Sequence, residues 1–173
     1  MRDKLRKRYQ VHKEVAQNGC YAGEIALAGL KRLGEMLRQD GDAGKQGSVH
    51  VEFEFARNEF DVPTIAGRLQ TRLDLECQRC LQALEFPLDL EFRLMIDASD
   101  ELLRHSSEDT LYSVDGFVDI EEIVEDELIL AIPLVAMHED TACNENWQAP
   151  EMVTDTGAKE NPFAVLQQLK TTD

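Results

Sequence analysis

Four side chains in this sequence are spaced to do chemistry together. Cys77 and Cys80 stand in Cys77-Gln78-Arg79-Cys80, and His138 and Cys143 bound the segment His138-Glu139-Asp140-Thr141-Ala142-Cys143. Read as C-x2-C and H-x4-C, they make two ligand pairs. Zinc takes four nitrogen or sulfur ligands in a tetrahedron, each pair close enough in sequence to share a turn. Cys20 is then left over. Two other readings use the same residues. A redox C-x2-C needs a low-pKa thiol, favoured by a helix N-terminus or local positive charge. Here the flanks are strand-like and only Arg79 brings charge. Cysteine also packs as a small hydrophobe, so plain reduced thiols in a turn are the third reading. The choice turns on whether the two halves meet in space, which spacing alone does not show.

The elements that would carry these residues are legible from periodicity. Cys20 to Leu27 reads as a short strand after the turn Gln17-Asn18-Gly19. Leu30, Leu33, Met36 and Leu37 recur at helical spacing, which predicts a helix over 28–38. Glycines 41, 44 and 47 mark a loop. Residues 48–57, 62–76 and 83–96 then alternate apolar and polar, as half-buried strands do. Cys77 and Cys80 fall at the turn between the last two. The stretch 97–116 is acidic and aperiodic. Asp119 is a candidate N-cap, with Glu122 three residues on, for a helix over 119–131 that Pro133 stops. Asn161 and Pro162 open a last helix to residue 170. The fold expected is α+β: a twisted antiparallel β-sheet, open or curled toward a barrel, with a few short helices over one face. The organisation expected is a basic N-terminal arm, 1–13, and a single domain over 14–170 with an acidic loop at about 97–116.

Other catalytic signatures are absent from the sequence: no G-x-S-x-G, no phosphate-binding glycine loop, no H-E-x-x-H. Glu121, Glu122, Glu125, Asp126 and Glu127 form a carboxylate run. Such a run is expected to be a solvated helix face, with Glu127 nearest the apolar stripe. Phe53, Phe55, Phe60, Phe86 and Phe92, at strand spacing, read as core.

Charge narrows the partners. The net charge is −16 and is uneven. Six cations crowd the first thirteen residues, whereas beyond Arg93 only Arg104, Lys159 and Lys170 stand against nineteen acids. Strong negative charge opposes non-specific nucleic-acid binding, which relies on Lys and Arg displacing counterions. It favours a basic protein partner. The N-terminal arm is the one phosphate-seeking segment, and it reads as a solvated tail. No apolar run approaches the ~18 residues of a membrane span, and no secretory signal is present. A cytoplasmic protein is expected, with no membrane and no small-molecule substrate.

Three segments carry a resemblance. Cys77-Gln78-Arg79-Cys80-Leu81, the run IEEIVEDELILAIPLVAMHEDTAC at 120–143, and NPFAVLQQLK at 161–170 are similar to the YceD family of bacteria and plastids. The segment 19–33, GCYAGEIALAGLKRL, resembles an early segment of that family less specifically. The resemblance covers residues from about 11 to 170, although the chain opens on a basic run instead of the family's apolar-proline start. It implies a cytoplasmic, non-enzymatic ribosome-biogenesis factor acting in synthesis, processing or stability of 23S ribosomal RNA. Pairing of H-x4-C with the C-x2-C also fits that family's pattern. Two modes of action follow. The chain engages a basic large-subunit ribosomal protein through its acidic segment, where Glu125 and Asp126 are the candidate contacts, or it meets structured RNA through Arg68, Arg72 and Arg79. The former is preferred on charge. The competing reading is a zinc-stapled or thiol-redox protein centred on Cys77 and Cys80, with another role.

Overall fold

The computed structural model describes residues 3–37, 47–97 and 109–144. All but Asn144 belong to one compact unit, Met1–Cys143, of the two into which the chain divides. The helix expected at 162–170 and most of the acidic loop lie outside the described residues.

The frame is a mixed six-stranded sheet. Strands β1 (Asp3–Lys4), β3 (Cys20–Ala26), β4 (Ser48–Arg57), β5 (Pro63–Glu76), β6 (Ala83–Ile96) and β7 (Asp109–Leu111) lie in that order. The four long strands form the antiparallel meander that alternation predicts. The two edges are parallel additions, β1 on β3 and β7 on β6. The sheet is open and does not close into a barrel. Strand β6 is paired along its length with β5, but β7 covers only Leu94–Ile96 of its other side. A second, two-stranded sheet joins β2 (Arg8–Gln10) to β8 (Phe117–Asp119).

One face of the meander is core. Val49, Val51, Phe53 and Phe55 of β4 are buried, as are Ile65, Leu69 and Leu73 of β5, while His50, Glu52, Arg68 and Gln70 look to the other side. Gly67 occupies a core-face position between Phe53 and Phe92 in register. A Cβ there would stand 2.8 Å from both Phe53 Cβ and Phe92 Cε1 and would collide with the Glu52 carbonyl. Glycine is thus what lets two phenylalanines flank the strand.

Helix α3 (Ile120–Ala131) buries Ile120, Ile123, Val124 and Leu128 in the same core. Asp119 caps it by accepting from the Glu121 N–H at 2.9 Å, as expected from sequence. The helix expected over 28–38 is divided instead. A 3-10 turn, Leu27–Gly29, precedes α2 (Lys31–Met36), and Leu30 between them is extended. No side chain of its own caps α2. Glu125, buried on α3, does so from a distance. Its Oε1 accepts from the N–H groups of Arg32 and Leu33, at 2.7 and 3.1 Å, and its Oε2 from Arg32 Nε at 3.0 Å.

The basic arm is built into this body rather than solvated. It supplies β1 and β2, and Tyr9 of β2, fully buried, packs against Tyr21, Phe53 and Phe55 with centroids 4.6–5.7 Å apart. Arg6 lies over the rings of Tyr9 and Tyr21. Its guanidinium reaches Glu14 of α1 (Val11–Ala16) at 2.9 Å and the Tyr21 hydroxyl at 2.7 Å. Glu14 is itself buried and also accepts from the Tyr21 hydroxyl and from Gln17 Nε2. A buried carboxylate is tolerable only with such a complement of donors. Burial opposes ionisation of Glu14, but the bonds from Tyr21, Gln17 and Arg6 outweigh it and hold its pKa below the ordinary 4.5.

Two outcomes follow. Gly67→Val should lower unfolding stability by about 1–3 kcal/mol, the usual cost of overpacking, read from urea denaturation. The Glu14 pKa is lower in the folded chain than in the unfolded one, so protons favour unfolding. Its contribution is complete above the ordinary value of 4.5 and is lost as pH falls below it. Glu14→Gln should therefore be less stable at neutral pH, and should lose less further stability than the parent on acidification in pH-resolved melts.

Candidate metal centre

Strands β5 and β6 end in a tight knuckle. The Cys77 N–H donates to the Gln82 carbonyl at 2.9 Å and the Leu81 N–H to the Cys77 carbonyl at 2.8 Å. Closing this turn puts Leu81 in the left-handed region, at φ 59°, where a non-glycine residue is uncommon. Turning back so sharply brings Cys77 and Cys80 to one side.

The other pair is delivered from α3. Pro133 lies just past the helix end at Ala131, and the chain then runs along the knuckle. There the Gln78 N–H donates to the Ala136 carbonyl at 2.8 Å, and Gln78 Nε2 to the Leu134 carbonyl at 3.3 Å. His138 follows, its N–H 3.5 Å from Cys77 Sγ. A 3-10 turn, Thr141–Cys143, brings in the last residue. Asp140 starts that turn by accepting from the Ala142 N–H at 2.8 Å.

The structure thus brings all four sequence-predicted candidates together. The Sγ atoms of Cys77, Cys80 and Cys143 and a ring nitrogen of His138 lie within 4.8 Å of one another, with Cys77 buried and the others partly exposed. Cys80 Sγ is 3.4 Å from His138 Nδ1. The far nitrogen, Nε2, is 3.0 Å from the Ala83 carbonyl. A carbonyl only accepts, so Nε2 carries the proton and Nδ1 turns its lone pair on the thiols. Fixing the tautomer from outside is how protein metal sites orient a histidine.

The surroundings favour thiolate at Cys77. Burial opposes ionisation of Cys77, but the backbone N–H groups of Cys80, His138 and Arg79 and the Cys80 thiol bring its pKa down to about 5. Burial pushes Cys143 up, and the neighbouring thiols Cys80 and Cys77 add to the rise. Arg79 answers the gathered negative charge. Its guanidinium lies 3.7 Å from Cys143 Sγ, donates to the Asp140 carbonyl at 3.0 Å, and reaches Met137 Sδ at 3.6 Å. One residue of the knuckle therefore holds the opposite ligand turn. Its x position in C-x2-C places it beside the cluster, but nothing in the spacing says where a long side chain turns.

The remaining candidates sit elsewhere. Arg68 and Arg72 are on the outer face of β5. Arg68 makes a two-pronged contact with Asp89, both distances 2.6 Å, and Gln70 joins the same carboxylate. Those partners, Arg68 first, lower the Asp89 pKa to about 2. Arg72 stands 3.4 Å from Glu85. Glu125 is the buried cap of α2, whereas Asp126 is about half exposed and pairs with Arg32 at 2.7 Å. Glu127, singled out for its place beside the apolar stripe, is half-buried, and that burial, with Asp109 and Asp126 nearby, raises its pKa.

An α+β body with a three-cysteine, one-histidine cluster at a hairpin end is the class these features define. The family model for the large ribosomal RNA subunit accumulation protein YceD matches residues 65–170, which takes in the whole cluster. A curated protein of Haemophilus influenzae, named large ribosomal RNA subunit accumulation protein YceD, is 32% identical over 157 residues, 87% of either chain. No solved structure matches. The chain belongs to the YceD family.

Arg79→Ala should leave the fold intact and weaken metal retention by about 10–100-fold, the usual effect of losing an outer partner. Competition with a chromophoric chelator measures it.

Proposed function

We propose that this chain is a zinc-stapled binding factor for the accumulation of large-subunit, 23S ribosomal RNA, and that it works without catalysing a reaction. The observation that carries the zinc assignment is the closed donor set. Structural zinc sites take all four ligands from the protein, whereas catalytic ones keep a position open. Tetrahedral zinc with bonds of about 2.0–2.3 Å holds its ligand atoms roughly 3.5–3.8 Å apart. The cluster, within 4.8 Å, needs only a small contraction. Cys77, Cys80, His138 Nδ1 and Cys143 would hold the ion, which supplies a cross-link and no chemistry on a substrate. The role in ribosomal RNA accumulation is supported by the name of the relative and by family membership.

The mode of action preferred is contact with a basic large-subunit ribosomal protein. Arg68 and Arg72 face Asp89 and Glu85, so their charge is already balanced locally. Arg79 is turned to the cluster. The chain carries −16 overall, and ribosomal proteins that bind RNA are strongly basic, so opposed fields speed association.

One observation favours a second reading, a thiol-redox protein. The Cys77 pKa near 5 would make it nucleophilic. The same thiolate character is what metal ligation requires.

Freshly purified protein should carry one zinc per chain by native mass spectrometry, lost in Cys77→Ser and in Cys143→Ser, each with a large drop in melting temperature. In cells lacking the native gene, the parent should restore the 23S to 16S ratio and both variants should fail. Zinc-free protein whose serine variants keep wild-type stability but lose disulfide reductase activity would establish the redox reading instead. A partner captured equally with and without ribonuclease supports the protein contact, and loss on ribonuclease treatment rejects it.

A further inference from the structure

Next to the metal centre the surface is apolar. Leu134 is 98% exposed and Leu130 77%, with Leu81, Val135 and Met137 between 45 and 63%. The hydrogen bonds of Gln78 to the carbonyls of Leu134 and Ala136 lay this segment along the knuckle that carries Leu81. Leu130 ends the exposed side of α3, one turn before Leu134. Leu81, Leu134, Val135 and Met137 are thus carried by the knuckle and the segment laid along it, and Leu130 by the end of α3, so that five large apolar side chains border the cluster. Gathered exposure of this kind marks interaction sites, unlike scattered single residues.

Both ends of the strip are acidic. Asp126 and Glu127 lie one turn before Leu130 on the same helix side, and Glu139 and Asp140, both exposed, follow Met137. Of the nearby cations, Arg79 is turned inward onto Met137 Sδ, the Asp140 carbonyl and Cys143, and Arg32 meets one oxygen of Asp126 at 2.7 Å. We propose that the strip Leu81, Leu130, Leu134, Val135 and Met137 is the docking surface for a basic amphipathic segment of a protein partner. Its aliphatic side chains would cover the strip while its Lys and Arg meet the carboxylates at either end. The inference rests on the reading of this chain as a binder of a basic protein, and it names the surface.

Charge selects this occupant over others. A phosphate backbone or an anionic membrane would bring negative charge to the two acidic ends. A second copy of the chain would oppose acids to acids and −16 to −16. Burial first, then the like charges of Asp109 and Asp126, raises the Glu127 pKa. A Lys or Arg arriving there would relieve the like charges. The strip adjoins the metal centre, since Leu134 to Met137 run directly into His138.

The test uses the full chain and fluorescence anisotropy of a labelled synthetic peptide of about eighteen residues, five helical turns, with leucines on one face and Lys and Arg elsewhere. Two comparison peptides keep the leucines with Glu in place of the cations, or scramble the order so that no apolar face forms. The basic amphipathic peptide should bind, and both comparison peptides should bind at least about tenfold more weakly. Leu134→Ser with Val135→Ser should weaken binding about tenfold with zinc content and melting temperature unchanged. Asp126→Asn with Glu127→Gln should weaken it and flatten its salt dependence. Retained affinity in the serine variant, equal binding of the acidic peptide, or strip residues that cross-link to a second copy or to the chain's own residues 161–170 would each overturn the proposal. Zinc content is read separately, so a zinc-free protein that still binds through Leu134 defeats the staple and leaves the docking surface standing.

Discussion

Cys77 and His138 are 61 residues apart in sequence and meet at the end of the β5–β6 hairpin. Fourteen residues in each strand carry that end well beyond the part of the sheet flanked by β3 and β4. The meander alone would leave it to the hairpin's own ladder. Joining the knuckle to the segment that leaves α3 closes a long loop, whose entropic cost a metal or equivalent tie must overcome. The thiols, the oriented histidine, the clamp by Arg79 and the apolar rim are all arranged around that junction.

Two other junctions are held by a different device. Buried carboxylates, Glu14 and Glu125, each fasten a segment remote in sequence by accepting several donors at once. Glu14 fixes the N-terminal arm to β3, and Glu125 starts a helix that has no cap of its own. A carboxylate in such a place is unforgiving, because removal of one partner strands a charge away from water. It specifies position in return. Packing of Leu33 or Val15 could tolerate a shift of an ångström; a carboxylate receiving two backbone N–H groups does not.

Much of this was legible in the sequence, for reasons that can be named. The long strands β4, β5 and β6 alternate over ten or more residues, and their observed limits lie within a residue of the alternation. The N-cap at Asp119 and the stop near Pro133 are local chemistry and appear where expected. The C-x2-C and H-x4-C pairs were visible as spacing, though their meeting was not, since it depends on how α3 lies against the hairpin. The edge strands β1 and β7, two and three residues long, hold no period to detect and carry the parallel pairing that alternation cannot foresee. The arm read as a solvated tail because its cations are conspicuous; the buried Tyr9 and the partner of Arg6 are set by tertiary contacts. The two roles of the acids on α3 were hidden likewise, with Glu125 inward and Asp126 outward on adjacent positions.

The half-paired strand β6 has a further meaning. Among the described residues, β7 covers three of its fourteen positions, and the remainder is a long free edge of the kind that recruits strands from other molecules. Pro87 stands in the middle of that stretch, opposite Arg72 of β5. A proline has no N–H to give and is accommodated in sheets at edges that are not to be extended. Exposed Glu85, Asp89 and Glu91 add charged side chains along the same strand, the first two facing Arg72 and Arg68 of β5. The chain therefore carries its own guard against polymerising edge to edge, at the place where a hairpin of two fourteen-residue strands would otherwise invite it, and can keep that hairpin extended for the sake of what is mounted at its tip.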